Sequence, residues 1–343
     1  MHVTLKLTGH LPIPAKLYGG TQRVIYWLGK ALLELGHEVT VIGPPGCELP
    51  GADIRTITGD PGDPRDWWPL LPARTDLVHL WDTATPQCEK PFLVTIEGNG
   101  QSGQTFHPNT LFVSRRHAAN HGSKHFVHNG LDPADYSFSA TRGDYAVFLA
   151  KARWSVKNFP GAVAIARRAG IPLHVLGSRN WPLNLQKLLP TIRGVKRHGM
   201  IGGEEKRALL ARARCLIFPV RWEEPFGIAL TEALVSGCYV VGSPYGSLPE
   251  IVTPETGVLA PDAATLADAV RAPEKFSPAQ CRDRVLHGGF THLDMARAYL
   301  KYYEHLLVHG RLGAADEPAP RTAPDFNPKQ LLAWSATRVA TTH

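Results

Sequence analysis

Apolar strand patterns and amphipathic helix patterns alternate along this chain, and the whole alternation occurs twice. It begins at His2–Leu7, where a short apolar run predicts a strand, and it restarts at Ala146–Ala150. In residues 21–35 the apolar positions recur at steps of three and four, which predicts a helix with one buried face. Strands separated by helices pair in parallel, because a parallel connection needs a long crossover. The sequence therefore predicts an α/β fold with doubly wound parallel sheets.

Composition narrows the class of protein. The formal net charge of +7 divides into −1 for residues 1–142 and +8 for residues 143–343. The basic excess fits a phosphorylated small molecule, an anionic membrane surface or an ordinary solvated surface. The basic residues are scattered and form no zinc-finger or arginine-rich pattern, so we expect no nucleic-acid partner. The five cysteines are odd in number and none are spaced as CxxC, which fits a reducing cytoplasm and argues against a cysteine-rich metal site.

The most informative segment reads RWEEPFGIALTEALVSGCYVVG and spans residues 221–242. A strand pattern ends near Pro219, a short loop carries Glu223 and Glu224, and a helix pattern begins near Phe226. The first N–H groups of a helix lie at the positive end of its dipole and bind anions such as phosphate. This order of elements predicts an anion site in front of the helix.

Glu224 and Glu232 are eight positions apart. In a helix that spacing corresponds to about 12 Å along the axis and about 80° around it. The two carboxylates are too far apart for the pair of a retaining glycosidase, which lies about 5 Å apart. They suit the two hydroxyl-rich ends of a nucleotide-sugar, with the anion site between them for the diphosphate. Two solvated glutamates on a surface helix are the alternative that the spacing leaves open.

This segment resembles the E-x7-E region of family 4 glycosyltransferases, although Tyr239 replaces the usual proline. Residues 246–252, which read GSLPEIV, are similar to the family's G-x-x-E-I-V segment. Residues 18–24, which read YGGTQRV, resemble the family's G-G-x-E-R-V opening, with Gln22 in place of the acidic residue. The positions that match the E-x7-E region are Glu224, Pro225, Phe226, Gly227, Glu232, Ala233, Gly237, Val240 and Val241.

The resemblance covers residues from about 2 to 308 and implies a GT-B fold, in which two Rossmann-like domains face a central cleft. A polar, turn-prone stretch near residues 137–144 separates the two halves. We therefore expect an acceptor-side domain at residues 1–140 and a nucleotide-sugar domain at residues 141–291. Residues 292–343 are expected to form a closing helix and a tail, which in this family commonly pack back toward the N-terminal domain.

The resemblance also assigns residues to a donor site. Glu224 is expected to hold donor-sugar hydroxyls, and Glu232 is expected to hold ribose hydroxyls. Lys157 is expected to neutralise the diphosphate together with Arg153 or Lys151, and we prefer Arg153 because a guanidinium bridges two phosphate oxygens. The other expected donor contacts are backbone groups and base-pocket residues: Gly19, Gly20, Gly177, His198, Met200, Phe226, Gly227, Ile228, Leu230 and Thr231.

Glu97 is the clearest departure from the family pattern. Family members often have T-x-H-G where this chain has Thr95-Ile96-Glu97-Gly98. A carboxylate at the end of a strand accepts a hydrogen bond from a sugar hydroxyl or stabilises positive charge at the anomeric carbon. Capping of the following loop is the alternative. Glu97 joins Arg153, Lys157 and Glu224 as the expected catalytic residues.

The resemblance implies a glycosyltransferase that moves a sugar from a nucleoside diphosphate donor to a hydroxyl acceptor with retention of configuration. The resemblance implies no cofactor and no metal ion, so basic side chains would stabilise the leaving diphosphate. The expected acceptor is a glycan, a lipid-linked molecule or a small molecule, and the expected location is the cytoplasm, with peripheral contact at the inner membrane face left open. Trp67 and Trp68 are candidates for sugar stacking, membrane contact or core packing. The alternatives are a non-catalytic nucleotide-sugar binder and another GT-B enzyme, such as an epimerase.

Overall fold

A computed structural model describes residues 1–17, 19–81, 89–101, 103–177, 194–314, 317–320 and 331–337. The chain forms two compact units. The first comprises Met1–Asp132 and Gly289–Phe326, and the second comprises Pro133–Gly288 and Asn327–His343. The expected division at residues 140 and 291 stays a prediction.

Each unit is built on one six-stranded sheet. The strands of the first sheet are β1 (His2–Lys6), β2 (Glu38–Gly43), β3 (Asp53–Thr56), β4 (Leu77–Leu80), β5 (Phe92–Ile96) and β6 (Thr110–Phe112). Those of the second are β7 (Ala146–Leu149), β8 (Leu173–Leu176), β9 (Val195–Gly199), β10 (Cys215–Phe218), β11 (Tyr239–Gly242) and β12 (Gly257–Leu259). The strand orders are β3-β2-β1-β4-β5-β6 and β12-β11-β10-β7-β8-β9. The paired strands in both sheets run parallel, which confirms the predicted α/β class.

Helices follow most of the strands. Those within the described ranges are α1 (Gly20–Glu34), α2 (Pro64–Trp67), α3 (Arg115–Asn120), α4 (Phe159–Ala169), α5 (Gly203–Arg212), α6 (Ile228–Val235), α7 (Leu248–Ile251), α8 (Ala263–Arg271), α9 (Pro278–Leu286) and α10 (His292–His309). In the first unit α10 packs against α1 and begins with a capping box formed by Thr291 and Asp294. None of the helices in the described part of the chain is long and apolar enough to cross a membrane.

A buried hydrogen-bond network joins α10 to the first sheet. The Nδ1 atom of His79 lies 2.7 Å from the hydroxyl of Tyr303, and its Nε2 atom lies 2.8 Å from Oγ1 of Thr95. The hydroxyl of Tyr299 lies 3.0 Å from the same Thr95 oxygen. Burial lowers the pKa of His79 well below its ordinary value, so the ring is neutral and has one N–H to donate. The network therefore depends on an uncharged histidine.

Of the tryptophan pair that follows β3, Trp67 lies in the interior of the first unit and Trp68 is partly exposed. Trp67 is 1% exposed and belongs to a core cluster that includes Val78 and Val94, and Trp68 packs against that cluster. Burial of an aromatic ring of this size contributes strongly to a core. Core packing is therefore the role that the structure assigns to Trp67.

Because two histidines of the first unit are buried and have lowered pKa values, we predict that acid destabilises this unit. Burial lowers the pKa of His79 well below its ordinary value and that of His117 to about 3. The unfolded chain protonates both near pH 6.5, so below that pH unfolding takes up protons. The free energy of unfolding should then fall by up to about 1.4 kcal/mol per pH unit for each histidine. Urea denaturation at a series of pH values between about 7 and 4 measures this slope.

The variant His79→Gln separates the contribution of His79 from that of other groups. It should lower the free energy of unfolding at neutral pH, because it disturbs the network, and its slope against pH should be shallower than that of the wild type. The matched control is His305→Gln at an exposed position of α10. Equal slopes for His79→Gln and the wild type would contradict the assignment of a neutral His79.

Candidate active site

Three loops of the second unit follow adjacent strands of its sheet. The loop after β7 carries Lys151, Arg153 and Lys157, the loop after β10 carries Glu224, and the loop after β11 carries Gly246. The strands β11, β10 and β7 are neighbours and parallel, so the three loops leave the same edge of the sheet. In open parallel sheets this edge is where ligands bind.

Lys157 and Glu224 form an ion pair at this edge. The Nζ atom of Lys157 lies 2.9 Å from Oε1 and 2.6 Å from Oε2 of Glu224. The Lys157 side chain is 12% exposed and that of Glu224 is 6% exposed, so water screens the pair only weakly. A residue predicted to bind diphosphate and a residue predicted to bind sugar hydroxyls are thus in direct contact.

Trp222 contacts both members of this ion pair. Its indole N–H donates to Oε2 of Glu224 at 2.6 Å. The Nζ atom of Lys157 lies 4.7 Å from the centre of the Trp222 ring, within the range of a cation–π interaction. No sequence motif predicted a role for Trp222. The sequence showed only that it lies two residues before Glu224.

The segment after β11 holds the Glu224 loop through its backbone. The Ser247 N–H donates to the Glu224 carbonyl oxygen at 2.9 Å, and the Ser247 hydroxyl donates to the Phe226 carbonyl oxygen at 2.6 Å. Gly246 has a φ of +65°, and a Cβ atom there would lie 2.2 Å from the Glu224 nitrogen. Only glycine fits this approach. The family-like segment at residues 246–252 therefore shapes the loop that carries Glu224.

The described end of the chain lies beside the same loop. Leu332 and Arg221 are joined in both directions: the Leu332 N–H donates to the Arg221 carbonyl oxygen at 2.9 Å, and Nε of Arg221 donates to the Leu332 carbonyl oxygen at 2.8 Å. The Tyr245 hydroxyl donates to the Ala333 carbonyl oxygen at 2.7 Å. Leu332 and Ala333 thus contact both the loop that carries Glu224 and the loop after β11 that carries Gly246.

Helix α6 begins at this edge without a side-chain cap. Gly227 precedes it with a φ of 76°, a left-handed conformation that favours glycine. The Leu230 N–H donates to the Gly227 carbonyl oxygen at 2.8 Å, and the Thr231 hydroxyl donates to that of Ile228 at 3.0 Å. Phe226 is 2% exposed. An uncapped first turn, with Lys157 bound to the loop in front of it, suits an anionic ligand.

Glu232 lies inside α6 and is 2% exposed. Its Oε1 atom accepts hydrogen bonds from the Tyr136 hydroxyl at 2.6 Å and from Nζ of Lys206 at 2.5 Å. Lys206 is itself 4% exposed, so the two charges compensate each other in the interior of the unit. The sequence predicted Glu232 as a ligand of ribose, but neither of these two partners was predicted.

The other predicted cations and base-pocket residues lie on or after the strands β7, β8 and β9 of the same sheet. Arg153 is exposed, and Nζ of Lys151 lies 4.6 Å from the centre of the Trp154 ring. Gly177 follows β8, and Met200, which is 38% exposed, follows β9. His198 is on β9, with Nε2 lying 3.2 Å from Nδ1 of His174. Burial and the charge of Lys196 lower the pKa of His198. Among the described residues no cluster of His, Cys, Asp and Glu has a geometry that could hold a metal ion.

The predicted residues of the first unit follow β1 and β5. Gly19 precedes α1 with a φ of 142°, and Gly20 is the first residue of that helix. Tyr18, which belongs to the same motif, lies outside the described residues. Glu97 follows β5 directly, and its loop is fixed by α3: Nε2 of His117 lies 3.0 Å from the Gly98 carbonyl oxygen. No sequence pattern pointed to His117.

Glu97 is a carboxyl group that titrates near neutral pH. Its Oε2 atom accepts a hydrogen bond of 2.7 Å from Nδ2 of Asn129. Its Oε1 atom and Oδ1 of Asn129 are buried and have no hydrogen-bond partner among the described residues. Burial raises the pKa of Glu97 to about 7, although the hydrogen bond from Asn129 opposes that shift. Glu97 can therefore accept or donate a hydrogen bond under physiological conditions.

The chain is similar to known glycosyltransferases. Residues 145–272 match the family model described as glycosyl transferases group 1. The chain is similar to AviGT4, a glycosyltransferase involved in avilamycin A biosynthesis, with 25% identity and a TM-score of 0.75 over 90% of this chain and 98% of that one. The curated proteins compared with the chain include no match to its sequence.

Two further solved structures share the fold at lower identity. Sucrose-phosphate synthase from Thermosynechococcus elongatus is 18% identical, with a TM-score of 0.68 over 90% of this chain and 99% of that one. HepE from Anabaena, in complex with UDP and glucose, is 12% identical, with a TM-score of 0.62 over 89% of this chain and 100% of that one. These comparisons show that the fold is GT-B, and together with the family model they indicate that the chain is a glycosyltransferase.

Removal of the Asn129 side chain should raise the pKa of Glu97 above about 7. A hydrogen bond to a charged group contributes about 1.5–3 kcal/mol, and about 1.4 kcal/mol corresponds to one pKa unit. Asn129→Ala should therefore shift the pKa upward by about one unit or more. The infrared band of the protonated carboxyl group, followed against pH, measures the shift, and Glu97→Gln identifies the band by removing it. A lowered or unchanged pKa in Asn129→Ala would count against this arrangement.

Proposed function

We propose that this chain transfers a glycosyl group from a nucleoside diphosphate sugar to a hydroxyl group of an acceptor, with retention of the anomeric configuration and without a metal ion. The observation that carries the proposal is the Lys157–Glu224 ion pair in the loops at the uncapped start of α6. Solved structures that share the fold support it, because HepE was determined with UDP and glucose and starch synthase IV from Arabidopsis thaliana with ADP and acarbose.

In this proposal the donor lies along α6. The diphosphate meets the first turn of the helix and the ammonium of Lys157, with Arg153 as the second cation. Glu224 accepts hydrogen bonds from the sugar hydroxyls, and Glu232 accepts them from the ribose. We prefer Arg153 to Lys151 because a guanidinium bridges two phosphate oxygens, and because Arg153 is exposed whereas Nζ of Lys151 lies over the Trp154 ring.

The reaction that fits these groups is a displacement on one face of the sugar. The bond between the anomeric carbon and the phosphate oxygen breaks, and the acceptor oxygen bonds to the same face of that carbon. The acceptor proton moves to the departing diphosphate, whose negative charge Lys157 and Arg153 stabilise. Glu97 accepts a hydrogen bond from a sugar hydroxyl when ionised and donates one when protonated. Catalysis then rests on electrostatics and positioning.

Loss of Lys157 or Glu232 should weaken nucleotide binding in a panel of UDP, GDP, ADP and dTDP compounds. For the one nucleotide that the wild type selects, Lys157→Gln and Glu232→Gln should raise the dissociation constant by about tenfold or more, because each removes a charge-assisted hydrogen bond. Isothermal titration measures the constants, and Arg168→Ala at an exposed position of α4 is the control. Wild-type affinity in both variants would contradict the proposed donor site.

The stereochemistry and the metal requirement are tested on the product. With the selected donor and a panel of hydroxyl acceptors, the product should keep the anomeric configuration of the donor, as read from the NMR coupling of its anomeric proton. Turnover should be unchanged after treatment with EDTA, because the diphosphate is stabilised by side chains. An inverted product would overturn the proposed mechanism, and activity that requires an added divalent cation would overturn metal independence.

A further inference from the structure

Trp222 is placed to act on both charges of the Lys157–Glu224 pair. The indole N–H is a donor only, and it donates to Oε2 of Glu224 at 2.6 Å. The face of the same ring lies 4.7 Å from the Lys157 ammonium. One side chain thus stabilises the carboxylate through a hydrogen bond and the ammonium through the ring quadrupole.

Glu224 bonds to Lys157 and to Trp222, and these two bonds should respond differently when a donor binds. Lys157 bonds to both oxygens of Glu224, and a diphosphate would compete with that carboxylate for the ammonium. When the Lys157 ammonium interacts with a phosphate, its ion pair with Glu224 becomes weaker. Trp222 lies two residues from Glu224 in the same loop, and Ser247 fixes the backbone of that loop. The hydrogen bond from the indole therefore remains when the ion pair loosens.

We propose that Trp222 is a positioning residue for the donor sugar, which keeps the Glu224 carboxylate oriented toward the sugar hydroxyls while Lys157 turns to the diphosphate. This inference rests on the proposed function, since it assumes that Glu224 receives the sugar. Its consequence concerns the sugar rather than the nucleotide. The indole N–H should contribute to the binding of a sugar-bearing donor and contribute little to that of the free nucleoside diphosphate.

The variants Trp222→Phe and Trp222→Leu separate the two interactions. Phenylalanine keeps an aromatic face for Lys157 and removes the N–H, whereas leucine removes both. Trp68→Phe, in the first unit, controls for the loss of a tryptophan as such. Isothermal titration gives the dissociation constants for the selected nucleoside diphosphate and for its sugar-bearing form, and thermal unfolding of each variant is measured beside them to detect a loss of folding.

In Trp222→Phe the dissociation constant of the sugar-bearing donor should rise about tenfold, while that of the free nucleoside diphosphate stays within about twofold. In Trp222→Leu both constants should rise. With substrate, Trp222→Phe should raise KM for the donor and also lower kcat, because a misdirected Glu224 misplaces the anomeric carbon.

The outcomes that contradict this inference are distinct from those that contradict the proposed function. Equal weakening of both ligands in Trp222→Phe, or no weakening of either, overturns the positioning role and leaves the donor site intact. If the wild type binds no nucleotide, the proposed function fails and the inference fails with it. If Trp222→Phe unfolds at a lower temperature but keeps the wild-type ratio of the two constants, Trp222 serves packing alone and the inference is wrong.

Discussion

The contact between Lys157 and Glu224 joins two of the loops at the carboxyl edge of the second unit's sheet. The two side chains come from different loops and are nearly buried, so each charge is stabilised by the opposite charge beside it. Removal of one partner from such a pair costs about 3–5 kcal/mol, since it leaves a buried charge uncompensated. Gly246 and Ser247 extend this constraint to the backbone of the Glu224 loop. The loops are therefore held in fixed positions relative to each other, which would reduce the entropy lost when a ligand binds there.

Three glutamates illustrate how surroundings set the charge of a carboxyl group. Glu224 and Glu232 are both nearly buried, and each forms an ion pair with a lysine. Glu97 has an amide as its partner, and burial raises its pKa to about 7. The second unit thus pairs its two buried carboxylates with ammonium groups, whereas the first unit places a carboxyl group beside an uncharged amide.

The sequence predicted β1 and β7, the strands that begin the two alternations, because their apolar positions are buried in the middle of a sheet. Edge strands give a weaker apolar pattern: β3 and β9 carry partly exposed polar residues, and β12 has three residues. The sequence also identified Glu224 and Glu232 through a motif. The partners of Glu232 were not predictable, because Tyr136 lies 96 positions away and Lys206 lies 26 positions away. A motif specifies residues that face a ligand, whereas their supporting contacts arise from tertiary packing.

The first unit is assembled from two separate parts of the chain, and this affects its synthesis on the ribosome. Helix α10 supplies Tyr303 to His79 and Tyr299 to Thr95 and packs against β5, yet it is translated after β7 to β12 of the second unit. Domains generally fold as units as they emerge. In the nascent chain the first sheet therefore lacks its contact with α10 while β7 to β12 are made. The first unit therefore completes its core only after β7 to β12 of the second unit have been made.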